Sequence, residues 1–190
     1  MNTDNLKKFY EDGYVILKNA ITHEQIDEFW QSVDDNISNN TELTYARYDK
    51  IMRNSGLGAD ISSEGNVARI IDIEQHSLQA RDLILHPNIS GFLASYYEAL
   101  PTAIQTLTYK YSSQQASHSD LHLVTPPTVG FNYYRESLAA AWVACEDSNE
   151  KNGALIIYPG SHKFLKKPLQ FFNNDYGTWV KYLDKLYQLH

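Results

Sequence analysis

The sequence predicts an α+β fold with a mainly β core and helices in its N-terminal half. Apolar residues follow helical spacing in parts of the first hundred residues, whereas after Ala103 they follow the alternation that is typical of strands. Asn152-Gly153, the strongest short hairpin signal, separates the last two apolar stretches. Helices first and strands second indicate helices packed around a sheet.

The N-terminal segment is predicted to contain two helices joined by a short strand. Residues 3–12 place apolar side chains on one helical face, and residues 14–17 (YVIL) predict a strand. Thr22 and Gln25 have the spacing of a capping box, and apolar residues continue at helical spacing behind them. A second, amphipathic helix is therefore expected over 23–37.

The middle of the chain is predicted to be a long loop followed by a strand and two helices. Residues 38–66 are rich in Asn, Ser and Gly, and loops of that length usually serve as lids or binding segments. Residues 67–73 (VARIIDI) predict a strand. Residues 77–85 and 89–99 predict helices on either side of a His-Pro step.

The second half of the chain is predicted to be rich in strands. Four stretches there have strand character: AIQTLTYKY, LHLVT, SLAAAWVACE and ALIIY. Apolar residues return to helical spacing over 174–189. Because no repeat, linker or low-complexity tract interrupts the chain, we expect a single domain over residues 1–190.

Composition narrows the class of protein. The net charge of −7 argues against a nucleic-acid partner or an anionic membrane surface. No apolar run approaches the roughly 20 residues of a membrane span, and the N-terminus lacks a signal-peptide pattern, so the cytoplasm is the expected compartment. The single cysteine, Cys145, excludes an intramolecular disulfide and is expected to be a small core residue rather than a nucleophile.

A His-x-Asp motif at residues 118–120 is the first candidate for chemistry. Residues two apart in a strand point to the same face, so His118 and Asp120 provide two arms of a 2-His-1-carboxylate iron triad. The competing interpretation is a surface pair that shares a hydrogen bond. His122 would share that face, but its backbone would lie roughly 13 Å from that of His118 along a strand. We therefore expect His122 to be a pocket or packing residue.

Three ordered segments resemble the phytanoyl-CoA dioxygenase family. They are FYEDGYVILKNAITHEQIDEF, SQQASHSDLHLVTPP and AAWVACEDSNEKNGALIIYPGSHK, and together they extend from about residue 9 to 166. The resemblance implies a double-stranded β-helix (jelly roll) with flanking N-terminal helices. It also implies a non-heme iron(II)- and 2-oxoglutarate-dependent dioxygenase that hydroxylates a small organic substrate, with 2-oxoglutarate and dioxygen as its other partners.

The resemblance also implies which residues form the site. A guanidinium can bind a carboxylate through two hydrogen bonds, so an arginine beside the cosubstrate is chemically sensible. A charge at the edge of a surface strand is the alternative for that residue. The carboxylate in the iron motif favours hydroxylation over halogenation. The implied iron ligands are His118 and Asp120, and the implied cosubstrate contacts are Trp142, Ser119, Arg69 and Leu107.

One departure from the family concerns the third iron ligand. The family's distal histidine lies well beyond the Pro-Gly-Ser-His turn, whereas this chain ends 28 residues after His162, and His190 lies in no such motif. His162 itself is expected to be structural. We therefore expect a chain truncated before the third ligand, with an incomplete jelly roll, or a fold that another chain completes.

Two other classes of function compete with the dioxygenase. The first is a catalytically incomplete fragment or a non-catalytic jelly-roll module that binds a metal or another protein. The second is a cupin-like isomerase or sugar-binding jelly roll, which is disfavoured because three or four histidines on paired strands are absent from the sequence. The sequence leaves the substrate open, and a homo-oligomer remains one of the assemblies to be tested.

Overall fold

The computed structural model divides the chain into two compact units. One comprises Met1–Ile16, Gln114–Val143 and Leu155–His190, and the other comprises Leu17–Ser113 and Ala144–Ala154. The structure describes residues 3–39, 42–47, 50–53, 68–110, 118, 120, 138–163, 177, 178, 181, 182 and 185. None of the helices in these parts of the chain has the length and apolar content needed to cross a bilayer.

The first two helices form where the sequence predicts them. Helix α1 spans Thr3–Asp12, and helix α2 spans His23–Ser38. The Thr22 hydroxyl oxygen accepts the Gln25 backbone N–H at 3.2 Å, while the Gln25 side-chain oxygen accepts the Thr22 N–H at 3.0 Å. This reciprocal pair satisfies two backbone donors that the start of a helix leaves unpaired, and it confirms the predicted capping box.

A four-stranded antiparallel sheet corrects the prediction of a loop over 38–66. Its strands are β1 (Thr44–Arg47), β2 (Lys50–Arg53), β3 (Ala68–Ile71) and β4 (Leu107–Tyr109), in the order β2-β1-β3-β4. The loop prediction is wrong at β1 and β2. Tyr45 and Ala46 are buried in β1, which pairs with strands on both sides, so tertiary pairing outweighs the polar local composition.

Two further helices follow β3 in the sheet-containing unit, and the first of them contributes to the core. Helices α3 (Leu78–Ile84) and α4 (Pro87–Tyr97) confirm the two predicted after the strand. The Ser77 hydroxyl accepts the Ala80 N–H at 3.0 Å and so caps α3. Side chains from α2, α3 and the sheet meet in one cluster: Phe29, Val33, Leu43, Tyr45, Ile70, Ile73, Ala80 and Leu83.

The two faces of the sheet have different surroundings, because successive side chains on a strand alternate in direction. Tyr45, Ile70 and Thr108 lie opposite one another across three strands and are buried. Tyr45 and Ile70 belong to the core cluster, so this face packs against α2 and α3. The opposite face carries the residues that matter for the site: Arg69, Leu107 and Tyr109.

Several predicted strands are not observed. Residues 14–17, 138–146 and 154–158 are neither helix nor strand, although a turn does form between the last two. Alternating apolar residues predict an extended chain, but a strand also requires a hydrogen-bonded neighbour, and none within the described residues pairs with these segments. The predicted LHLVT strand lies outside the described residues. The described positions of the predicted C-terminal helix, between 177 and 185, are helical.

Asparagine side chains build the turn at residues 149–153. The Asn152 side-chain oxygen accepts the Asn149 N–H at 2.6 Å, and its amide group donates to the Asp147 carbonyl at 2.6 Å. Gly153 follows at φ 84°, a left-handed conformation that glycine adopts without steric cost. The Asn-Gly signal therefore predicts the turn correctly, whereas the hairpin strands expected on either side of it are not observed.

Candidate functional site

The His-x-Asp motif brings an imidazole and a carboxylate together. His118 Nε2 lies 3.5 Å from Asp120 Oδ1, and the two side chains are 26% and 59% exposed. Ser119 and His122, also singled out in the sequence, lie outside the described residues. The structure thus shows the neighbouring donors that the motif predicts, in a position that solvent reaches.

The chemistry of this donor pair fits part of an iron site. An imidazole nitrogen and a carboxylate oxygen are both donors that iron(II) accepts, and here the two atoms lie 3.5 Å apart. Within the described part of the chain, however, no three His, Cys, Asp or Glu side chains could hold a metal together. His118 and Asp120 therefore supply two neighbouring donor atoms, and the described residues supply no third.

Arg69, the predicted cosubstrate contact, lies on β3 directly opposite Tyr109 on β4. Its Nη1 atom donates a hydrogen bond to the Tyr109 hydroxyl oxygen at 3.3 Å. Leu107 lies two residues before Tyr109 and so shares the same face of the sheet. The sequence analysis missed Tyr109, because a strand register cannot be read from the alternation of TLTYKY alone.

The guanidinium of Arg69 differs from two other cations of the same unit in the kind of group to which it donates hydrogen bonds. Lys110 forms an ion pair with Asp34, and Arg81 donates to the backbone carbonyls of Glu74 and Gln75. In the described regions no carboxylate lies within 4.0 Å of Arg69, which is only partly exposed. A half-buried guanidinium without an anionic partner is chemically suited to receive an anionic ligand.

The remaining predicted pocket residues lie in exposed positions. Trp142 is 55% exposed and Leu107 is 43% exposed. His118, Asp120 and Trp142 belong to one compact unit, and Arg69 and Leu107 belong to the other. The predicted residues therefore fall into two sets, one in each unit. In the first set His118 lies beside Asp120, and in the second Arg69 and Leu107 share one face of the sheet.

The Pro-Gly-Ser-His-Lys turn caps the C-terminal end of α1. Gly160 N–H donates to the Asp12 carbonyl at 2.7 Å, and the Lys163 ammonium donates to the Glu11 carbonyl at 2.6 Å. His162 Nε2 lies 3.2 Å from the Tyr10 carbonyl oxygen, to which it donates as the Nε2–H tautomer. These carbonyls would otherwise lack partners at a helix end. The contacts agree with the structural role expected for His162.

Cys145 lies against the core rather than in an open site. It packs beside the core cluster, and its carbonyl accepts the Trp30 indole N–H at 3.3 Å. Burial raises the pKa of the Cys145 thiol, and the neighbouring Glu146 carboxylate raises it further. A thiol that resists ionisation is a poor nucleophile, which agrees with the expected packing role.

These features describe a protein of mixed α and β structure with a neighbouring histidine and aspartate, and comparison with known proteins places it in a family. The phytanoyl-CoA dioxygenase family model matches residues 9–184, so the chain belongs to this family. No solved structure matches the chain significantly.

Curated mammalian relatives carry the name phytanoyl-CoA dioxygenase, peroxisomal. Three of them, from Rattus norvegicus, Mus musculus and Homo sapiens, are respectively 26%, 25% and 24% identical to this chain. Each alignment covers 95% of this chain. Each alignment covers 52% of the relative. The chain thus spans about half the length of the curated relatives it matches.

Proposed function

We propose that this protein is a non-heme iron(II)- and 2-oxoglutarate-dependent dioxygenase that hydroxylates a small organic substrate. The observation that carries the proposal is the 3.5 Å separation of His118 Nε2 and Asp120 Oδ1 in a chain of the phytanoyl-CoA dioxygenase family. A neutral imidazole and a carboxylate are ligands that iron(II) accepts. The substrate class beyond a small molecule is left to experiment, because fold does not fix substrate.

Each residue has a distinct part in this proposal. His118 and Asp120 hold iron(II), which supplies oxidation by dioxygen coupled to the decarboxylation of 2-oxoglutarate. Asp120 contributes a negative charge that offsets part of the metal's charge, and His118 must be unprotonated to bind. Arg69 would bind a cosubstrate carboxylate, and Trp142, Leu107 and Ser119 are the other cosubstrate contacts that the family resemblance implies.

The proposal includes a double-stranded β-helix within one domain. The described sheet and helices are compatible with a part of such a fold, and the family match covers most of the chain. The third iron ligand would come from residues outside the described ranges, from a longer form of the protein or from another chain. We also propose the cytoplasm as the compartment; the peroxisomal designation belongs to the names of the mammalian relatives.

A non-catalytic metal-binding or interaction module is the second candidate function. The observation that favours it is that the described residues supply no group of three metal ligands. Asp120 is also more than half exposed, whereas a catalytic iron site works best when water is excluded. This candidate predicts weak metal binding without turnover.

The deciding experiment measures iron(II) affinity and 2-oxoglutarate-dependent succinate formation. It compares this chain with a form extended by any downstream coding sequence, and each form with its Asp120→Ala variant. Asp82→Ala is the matched control, because Asp82 is an exposed carboxylate on α3 with no assigned role.

Turnover that Asp120→Ala abolishes and Asp82→Ala preserves is the expected result. Loss of one metal ligand should weaken iron binding by more than about tenfold, since even the loss of a residue that only hydrogen-bonds to a ligand costs about 10–100-fold. Iron binding without succinate in either form would support the non-catalytic module. No iron binding in either form would overturn the proposed iron site.

A further inference from the structure

We infer that Tyr109 positions the guanidinium of Arg69 for binding a carboxylate of 2-oxoglutarate. This inference rests on the proposed function, because it assigns a supporting residue to the same cosubstrate contact. Tyr109 is a positioning residue in this assignment: it acts through Arg69.

The strand register places the two side chains together. Arg69 and Tyr109 are direct partners across the β3–β4 pair, and the next pair, Ile70 and Thr108, is buried on the opposite face. Burial of that neighbouring pair fixes the register, since a slip by one residue would move Ile70 out of the core. Tyr109 therefore meets Arg69 as a consequence of core packing.

The hydrogen bond between them has a preferred direction. A guanidinium has five N–H donors and no acceptor, so the Tyr109 hydroxyl oxygen must accept the bond from Nη1 at 3.3 Å. Binding a carboxylate through two parallel hydrogen bonds uses only two of the five donors. The tyrosine can thus hold one edge of the guanidinium while another edge binds the ligand.

The surroundings of Arg69 indicate what this arrangement is for. A cation that only stabilises the fold usually pairs with a carboxylate or with backbone carbonyls. In this unit Lys110 pairs with a carboxylate, and Arg81 donates to two backbone carbonyls. Among the residues that the structure describes, Arg69 has a tyrosine hydroxyl as its partner and no carboxylate within 4.0 Å. Holding a long side chain in one rotamer before binding lowers the entropy cost of capturing an anion.

The test is a double-mutant cycle with cosubstrate affinity as its readout. Binding of 2-oxoglutarate to the anaerobic, iron(II)-loaded chain is measured by calorimetry for the wild type, Tyr109→Phe, Arg69→Gln and the double variant. Tyr97→Phe is the matched control, because it removes a phenolic hydroxyl from α4 in the same unit. Urea unfolding of each variant reports any general loss of stability.

Tyr109→Phe should weaken 2-oxoglutarate binding about three- to tenfold, the range that one hydrogen bond contributes, with Tyr97→Phe within twofold of the wild type. In the Arg69→Gln background, Tyr109→Phe should cause no further loss, because the residue through which it acts is gone. If Tyr109→Phe binds as the wild type does, or weakens binding equally in both backgrounds, the positioning role is overturned. If neither this chain nor its extended form binds 2-oxoglutarate, the proposed function is overturned together with this role.

Discussion

Cys145 is a thiol whose surroundings suppress its reactivity. The raised pKa, caused first by burial and then by Glu146, keeps the side chain protonated in the folded protein at neutral pH. The thiolate is the reactive form, so both access and ionisation limit its chemistry.

We predict that Cys145 reacts with an alkylating reagent at least several-fold more slowly in the native chain than in the unfolded chain at pH 8. Mass spectrometry with and without urea gives both rates. Because the pKa is raised, the protonated thiol stabilises the folded state. Its contribution to the free energy of unfolding is fully present below the ordinary thiol pKa and is lost as pH rises through the pKa of the folded protein. A native rate equal to the unfolded rate would contradict the protection that its partly buried position implies.

Tyr45 should make the fold sensitive to alkali. Burial raises the pKa of its phenol, so the folded state favours the protonated form. Its contribution to the free energy of unfolding is complete below about pH 10, the ordinary tyrosine pKa, and is lost as pH rises through the folded value. Urea unfolding between pH 8 and 11 should show a smaller alkaline loss for Tyr45→Phe than for the wild type. Tyr10→Phe, at an exposed position, is the control.

At the scale of elements, the junction between α1 and the Pro-Gly-Ser-His-Lys turn requires a glycine. Gly13 has φ 78°, and a Cβ atom there would lie 2.3 Å from His162 Nδ1. We expect Gly13→Ala to destabilise the protein by about 2 kcal/mol or more, from the left-handed backbone and the overlap together. Adding His162→Ala should remove the overlap but leave the backbone cost.

Gly91 provides the opposite case within a helix. It lies in α4, and a Cβ atom there would have no heavy atom within 4 Å. Gly91→Ala should therefore stabilise the protein by about 0.5–1 kcal/mol, because alanine loses less backbone entropy in a helix. Urea unfolding of both alanine variants tests the pair, and equal effects at the two glycines would refute this account.

The capping box of α2 is a third element that can be tested alone. Thr22→Ala should cost about 1 kcal/mol of unfolding free energy, because the Gln25 backbone N–H loses its partner. Thr102→Ala, at an exposed position outside the regular elements, should change stability by less than about 0.5 kcal/mol. Chemical denaturation of the two variants gives the comparison.

Helices were predictable from the sequence to a greater extent than strands, for a physical reason. A helix forms its hydrogen bonds within one segment, so Thr22, Gln25 and the apolar spacing of α2 suffice to place it. A strand depends on a neighbour distant in the chain. The alternation in 138–146 and 154–158 therefore predicted strands that are not observed, while β1 was hidden among polar residues.

At the largest scale, the core cluster contains most of the buried apolar side chains that the structure describes. Leu43, Ile73 and Val33 are its largest fully buried side chains. Leu43→Ala should destabilise the protein by about 2–5 kcal/mol, whereas Leu100→Ala, at a side chain that is 91% exposed, should stay within about 0.5 kcal/mol. Thermal and urea unfolding measure both. A small effect at Leu43 would mean that this cluster does not stabilise the fold.

The candidate site was only partly predictable from the sequence. His118 and Asp120 lie close together because only one residue separates them in the chain, although neither lies in the strand that the sequence predicted. The partnership of Arg69 and Tyr109 joins residues 40 positions apart and depends on the register of two strands. The sequence therefore indicated Arg69 as a candidate cosubstrate contact but not its hydrogen bond with Tyr109.

The bonds between α1 and residues 160–163 also affect the order in which the chain acquires structure. A helix of ten residues is marginal alone, and the histidine that caps α1 lies 152 residues after its partner. At about 5–20 residues per second, a ribosome needs roughly 8–30 s to synthesise the intervening chain. Helix α1 is thus synthesised long before the residues that cap it, and pulsed hydrogen exchange should find its amides protected late.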